Sequence, residues 1–233
     1  MIVYNGVSLE SIAPVKIEDI RVSPAELEQV ASARAIRGGS EFVRSRDGVR
    51  TVTITFAILS ENPVNRQEYF ENIAQWAKAD REYMLELPQE PTKYLMCVCT
   101  GRPDPSMRQW WESKLRLVFT CFNNPYWTSK AEKTASCETA FNVLGSAPPL
   151  MRIERTVSGS AASNQSYALD GRTITFSSIP VGSMVIDLNR QTAQVGNTNI
   201  MQYYNVNSRF LIPRTGSQTI TGTGTIKYRE RWE

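Results

Sequence analysis

The sequence predicts a mainly β protein in two parts: an N-terminal α+β sandwich with one helix and a protruding arm, then an antiparallel β-sandwich. Three observations carry this reading. Leu115, Leu117, Phe119 and Cys121 alternate with Arg116, Val118 and Thr120, the period-two pattern of a strand with one buried face. The strand is then cut at Asn123-Asn124-Pro125, because proline has no amide hydrogen for the ladder and pushes the preceding residue out of the helical region. Tyr126 and Trp127 follow, and the composition changes after them. Residues 1–128 carry 15 basic and 16 acidic side chains, net −1, whereas residues 129–233 carry 11 and 7, net +4. The later half replaces charge with Ser, Thr, Asn, Gln and Gly. The predicted domains are therefore 1–128 and 129–233.

Taken in order, Met1–Val7 reads as a short strand with a turn at Asn5-Gly6, a dipeptide suited to the left-handed conformations of a tight hairpin. Val15–Val22 is a second extended stretch, broken by Ser23-Pro24. Residues 31–49 hold few large apolar side chains, four arginines (Arg34, Arg37, Arg44 and Arg46) and turn signals at Gly38-Gly39 and Asp47-Gly48. Such a segment buries little of itself and reads as an exposed arm or a long hairpin. Arg50–Ile58 is the clearest strand: Val52, Ile54, Phe56 and Ile58 share one face and Thr51, Thr53, Thr55 and Ala57 the other. Asn62-Pro63 opens a helix, asparagine as cap and proline in the first turn. Tyr69, Phe70, Ile73, Trp76 and Ala77 recur at helical spacing, so one face packs on a sheet. Tyr83–Leu87 and Tyr94–Thr100 are further strands around a Pro88/Pro91 turn. A turn at Gly101–Ser106 and the pair Trp110-Trp111 precede the strand first described.

The later half shows no helical pattern. Phe141–Leu144, Leu150–Val157, Arg172–Phe176, Ser183–Leu188, Gln191–Val195, Arg209–Ile212, Gln218–Thr221 and Thr225–Trp232 read as short strands. Ser158–Ser163 reads as a loop. Asp170-Gly171, Pro180-Val-Gly182, Asn189-Arg190, Gly196-Asn197 and Gly222/Gly224 supply the turns. Short strands at near-regular spacing indicate a β-sandwich. On the last strand, Ile226, Tyr228 and Trp232 are expected to face inward or toward a neighbour.

Composition narrows the function. The chain has 233 residues, 41% of them apolar, with no run near the ~20 apolar residues that span a bilayer. The N-terminus lacks the charged-then-apolar order of a secretory signal, which predicts folding in a cytoplasm. The four cysteines, Cys97, Cys99, Cys121 and Cys137, are then free thiols, read as small buried hydrophobes rather than a metal set. There is no histidine, which removes the commonest general base and the Ser-His and Cys-His nucleophile pairs. No tight carboxylate pair and no glycine-rich phosphate loop is present. The sequence thus predicts no enzyme, no catalytic residue, no cofactor and no metal. A net charge of +3 is too small to indicate nucleic-acid binding.

The order of these landmarks resembles the distal tail proteins (Dit) of long-tailed, siphovirus-type bacteriophages and prophages. The strand Arg50–Ile58 followed by the helix near Asn65–Ala79 is similar to that family's sheet–helix–sheet order. Phe119-Thr-Cys-Phe-Asn-Asn-Pro-Tyr-Trp127 resembles its junction of a Phe-led strand, a proline and an aromatic. Met184-Val-Ile-Asp-Leu-Asn-Arg190 with Val195-Gly-Asn197, then Phe210-Leu-Ile-Pro213 with Gly216-Ser-Gln-Thr-Ile220, and finally Lys227-Tyr-Arg-Glu-Arg-Trp232, are similar to its C-terminal strands.

The resemblance implies a structural virion component at the tail tip, a baseplate hub made in the host cytoplasm. Its subunits would form a hexameric ring, or stacked rings, that joins the tail tube to the tail-tip apparatus. Residues 1–128 would build the ring, and residues 129–233 would be a peripheral galectin-like sandwich. Partners would be the tail tube protein, the tape-measure protein and the tail-tip or receptor-binding proteins, with no membrane and no sequence-specific nucleic acid. An arm can lap onto the next subunit of a head-to-tail ring, so Arg34, Arg37, Arg44 and Arg46 are expected at inter-subunit contacts. The alternatives are a carbohydrate-binding or adhesion module, with Trp127, Tyr203, Tyr204 and Trp232 as its available aromatics, or another ring or tube subunit of the same tail.

Overall fold

The computed structural model describes residues 1–33, 40–60, 62–101 and 114–233, with the backbone alone for 27–33 and 40–47. Arg34, Arg37, most of the turn expected after Gly101, and Trp110-Trp111 lie outside these residues. The protein is mainly β, and the chain divides into two compact units, Met1–Trp127 with Glu233, and Thr128–Trp232.

In the first unit the strands run side by side in the order Val15–Val22, Arg50–Ile58, Lys114–Cys121, Lys93–Gly101, Tyr83–Glu86, Val3–Tyr4 and Val7–Ser8, each neighbour antiparallel. Residues of Arg50–Ile58 alternate between buried and half-buried, as the sequence pattern requires, with Val52, Ile54 and Phe56 fully buried. Lys93–Gly101 pairs with both Tyr83–Glu86 and Lys114–Cys121. Leu95 and Cys97 pair with Leu85 and Tyr83, whereas Val98 and Cys99 pair with Thr120 and Phe119. One strand thereby passes from one part of the sheet to the other.

The helix Pro63–Trp76 begins as expected: the Asn62 side chain accepts from the Val64 amide at 2.9 Å, and Pro63 sits in the first turn. Of its expected face, Ile73 and Ala77 are fully buried, and Tyr69, Phe70 and Trp76 are half-buried. The Trp76 indole donates to the Val7 carbonyl at 3.0 Å and lies edge-on to Tyr4 and Phe119. The expectation of a single helix needs correction, because Leu9–Ile12 forms a second, one-turn helix. Nothing in its sequence shows helical periodicity. It is held instead by contacts from elsewhere: Leu9 is fully buried, and the Glu10 carboxylate accepts from the Ile2 amide at 3.0 and 3.1 Å. The turn before it is legible, with Asn5 and Gly6 both left-handed at φ 51° and 77°.

The second unit is a β-sandwich. One layer runs Thr198–Asn199, Thr192–Val195, Gly182–Asp187, Ala147–Val157, Thr225–Trp232 and Lys133–Ser136, all antiparallel. Facing it are the hairpin of Ala162–Leu169 with Arg172–Ile179 and the pair Phe141–Val143 with Gly216–Gln218. A single core fills the space between, with Ile153, Met184, Ile186 and Ile226 from the first layer and Tyr167, Leu169, Ile174 and Phe176 from the hairpin.

Three expectations for this half are corrected. Ala162–Leu169 is a strand that overlaps the expected loop. It reads as polar because only Tyr167 and Leu169 of its eight residues are buried. Arg209–Ile212 is not a strand. It lies beside Arg172–Ile179 through isolated backbone bonds, such as the Arg209 amide to the Thr173 carbonyl at 2.9 Å, and Pro213 has no amide to extend a ladder. The strand expected at Gln218–Thr221 lies instead at Gly216–Gln218.

Candidate functional site

The hairpin of Leu27–Ala33 and Ser40–Asp47 forms a two-stranded sheet of its own. Its two strands pair with each other, with Leu27 opposite Asp47 and Ala33 opposite Ser40. It grows directly from the Val15–Val22/Arg50–Ile58 ladder. Past the Val22–Val52 pair, the Ser23 amide donates to the Thr51 carbonyl at 2.9 Å and the Thr51 amide donates to the Ser23 hydroxyl at 2.9 Å. The Glu26 amide then bonds the Val49 carbonyl at 3.0 Å, and the Gly48 amide bonds the Glu26 carbonyl at 2.6 Å. Backbone bonds and the Ser23 hydroxyl thus tie the base of the arm to the Val15–Val22/Arg50–Ile58 ladder. Of the four arginines singled out in the sequence, Arg44 and Arg46 lie two apart on Ser40–Asp47, in register with Val30 and Glu28.

The segment after Lys114–Cys121 is closed by a residue that the sequence did not single out. The Glu82 carboxylate accepts from the Phe122 and Asn123 amides at 2.7 and 3.0 Å and from the Asn123 side-chain amide at 3.0 Å. These donors have no ladder partner once the strand ends, and a charged acceptor satisfies them with stronger bonds than a neutral one would.

In the second unit, Glu230 is also unforeseen. It is 4% exposed and accepts from Lys133 Nζ and from the Leu144 amide, each at 2.8 Å. The signal was present in the alternation of Thr225–Trp232, whose inward positions include 226, 228 and 230. Trp232, expected to face inward or toward a neighbour, is half-buried. Nearby on the same layer, Arg152 forms a bidentate pair with Glu132 at 2.9 and 3.0 Å and also bonds Glu154 at 2.7 Å, which in turn meets Lys227 at 2.8 Å. The Lys227 ammonium and then the Arg152 guanidinium hold the Glu154 carboxyl below its ordinary 4.5. A lowered folded-state pKa contributes stability that is present above the unfolded value and lost as pH falls through the folded one. The melting temperature of the protein should therefore fall as pH drops below about 4.5, and less steeply in Glu154→Gln.

The other displaced groups are structural. Burial, followed by the neighbouring Cys97 thiol, pushes the Tyr4 phenol up; its hydroxyl donates to the Cys97 carbonyl at 3.2 Å. Burial likewise raises Cys137. Among the described residues, no three of His, Cys, Asp or Glu are grouped to hold a metal ion, and no helix is long and apolar enough to cross a membrane. The aromatics available to a sugar-binding platform differ in exposure. Trp127 is buried and Tyr203 half-buried, while half-buried Tyr204 stacks on Phe210 with centroids 5.3 Å apart and planes at 17°.

The fold of the chain is matched by a bacteriophage protein of known structure. The full chain aligns with 98% of the protein in "Crystal Structure of SPP1 Dit (gp 19.1) Protein, a Paradigm of Hub Adsorption Apparatus in Gram-positive Infecting Phages", with a TM-score of 0.76 and 16% sequence identity. At that identity the match establishes a common fold. Chains in the phage P2 baseplate in its activated conformation with Ca and with Sr align over 94% of this chain and 90% of theirs, with TM-scores of 0.48 and 0.47 and identities of 9% and 10%. No family model matches the sequence, and no curated protein matches it.

Proposed function

We propose that this chain is a distal tail protein, a non-enzymatic virion component of a phage tail tip. Six copies form a ring that joins the tail tube to the tail-tip or receptor-binding proteins and contacts the tape-measure protein. Residues 1–128 build the ring, and residues 129–233 form the galectin-like peripheral domain. The observation that carries the reading is agreement in fold with SPP1 Dit along both chains. The arm supports it, because a two-stranded ribbon fixed at its base suits a head-to-tail contact. In this reading Arg34, Arg37, Arg44 and Arg46 meet the next subunit.

Size-exclusion chromatography with light scattering tests both levels of the proposal. The purified protein, alone or with its tail tube protein, is expected at six times its monomer mass, with ring-shaped particles in negative stain. Replacing all four arginines by glutamate should reduce the six-subunit species by tenfold or more, as befits ~1.4 kcal/mol or more of lost contact, with the circular dichroism spectrum unchanged. A monomer under both conditions sinks the ring. An unchanged hexamer in the variant sinks the assignment of the arginines.

A further inference from the structure

The strand register places two cysteines face to face. Val98 and Cys99 of Lys93–Gly101 pair with Thr120 and Phe119 of Lys114–Cys121. One step further along the same antiparallel register sets Cys97 opposite Cys121. Residues opposite one another in such a ladder share a face of the sheet and hold their Cα atoms about 4.5–5.5 Å apart, inside the roughly 4.4–6.8 Å range that a disulfide bridges. Both side chains are fully buried. We infer that Cys97 and Cys121 are an oxidisable pair, reduced during folding in a thiol-rich cytoplasm and joined as a cross-strand disulfide when the protein meets small disulfides outside it.

The chemistry has a preferred order. Cys121 is the last residue of its strand and is followed by Phe122, which is 53% exposed, so a small disulfide has the shorter approach to its thiol. Cys97 lies in mid-strand, and burial followed by the adjacent Cys121 thiol pushes its pKa well up, so it makes the poorer first nucleophile. The Cys121 thiolate attacks the sulfur–sulfur bond of a low-molecular-weight disulfide and releases one small thiol. Cys97 then loses its proton and attacks the Cys121 sulfur, expelling the second small thiol as the protein disulfide closes. One oxidant disulfide is consumed and two thiols are released. Of the other two buried cysteines, Cys99 stands opposite Phe119 in the register, and Cys137 belongs to the second unit.

The test is to incubate the full chain with oxidised glutathione, cap residual thiols, digest without reduction and map the peptides by mass spectrometry. A cross-linked Cys97–Cys121 peptide is expected, together with a melting temperature higher by roughly 5 °C, reversed by a reductant. Cys121→Ala should abolish both effects and Cys137→Ala should retain both. Complete capping at all four cysteines, stable glutathione adducts without a cross-link, or a cross-link through Cys99 would each overturn the inference. The peptide map of the unsubstituted protein decides the matter even where a variant folds poorly.

Discussion

Alanine at Gly145 is expected to destabilise the second unit by about 4 kcal/mol, the sum of a backbone strain and a collision. Gly145 has φ +112°, a region that side chains disfavour. A β-carbon built there would stand 2.2 Å from the Arg231 carbonyl oxygen and 3.2 Å from its carbon. Both sides of the clash are backbone. The Arg231 oxygen is also held by the Ser146 amide at 3.1 Å, so moving it away breaks a hydrogen bond at the start of the Ala147–Val157 strand. Gly159 is the control, since its φ is +80° and nothing lies within 4 Å of a β-carbon. Gly159→Ala should cost only about 1 kcal/mol of strain. Urea unfolding of the two variants separates collision from strain, and equal midpoints would refute the collision.

Phe119→Ala is expected to cost about 3–5 kcal/mol through the cavity it leaves in the first unit. Phe119 is fully buried at the meeting point of strand, helix and N-terminal hairpin. Its ring packs edge-on against Tyr4 with centroids 5.0 Å apart and against Trp76 at 6.3 Å. These two partners come from separate elements, so no small shift of either closes the void, and the edge contacts are lost as well. Phe119→Leu, which keeps most of the volume, should cost under about 1.5 kcal/mol. Phe122→Ala, three residues on and exposed, should be nearly neutral. If Phe119→Ala and Phe122→Ala unfold at the same urea concentration, the aromatic cluster is not the centre of this core.

How much was legible in the chain depended on how strongly each segment advertised a buried face. Arg50–Ile58 alternates large apolar residues with threonine, and its extent follows from that pattern alone. The helix start was fixed by a cap and a proline that act within three residues. Ala162–Leu169 shows what such reasoning misses: a strand whose polar residues lie outward and whose two buried side chains are too few to make a pattern. Arg209–Ile212 shows the opposite error, a promising apolar run that makes only isolated backbone bonds. For the candidate site, the arginine-rich arm was visible as an exposed arm or long hairpin, but the strand pairing from Leu27 to Asp47 was not.

The sequence by itself determined the local choices: that strongly alternating segments such as Arg50–Ile58 are extended, where the long helix begins, and that Asn5-Gly6 turns left-handed. Periodicity, capping and allowed φ depend on a residue and its near neighbours, so a single chain displays them. Only the tertiary structure decided that Lys93–Gly101 changes partners midway, that Glu82 closes a strand end about forty residues away, that Glu230 is buried against Lys133 and Leu144, and that Cys97 comes opposite Cys121. Each of these follows from strand register between distant segments. Register is set by the whole core closing at once, since a slip of one residue would turn every side chain of a strand to the other face.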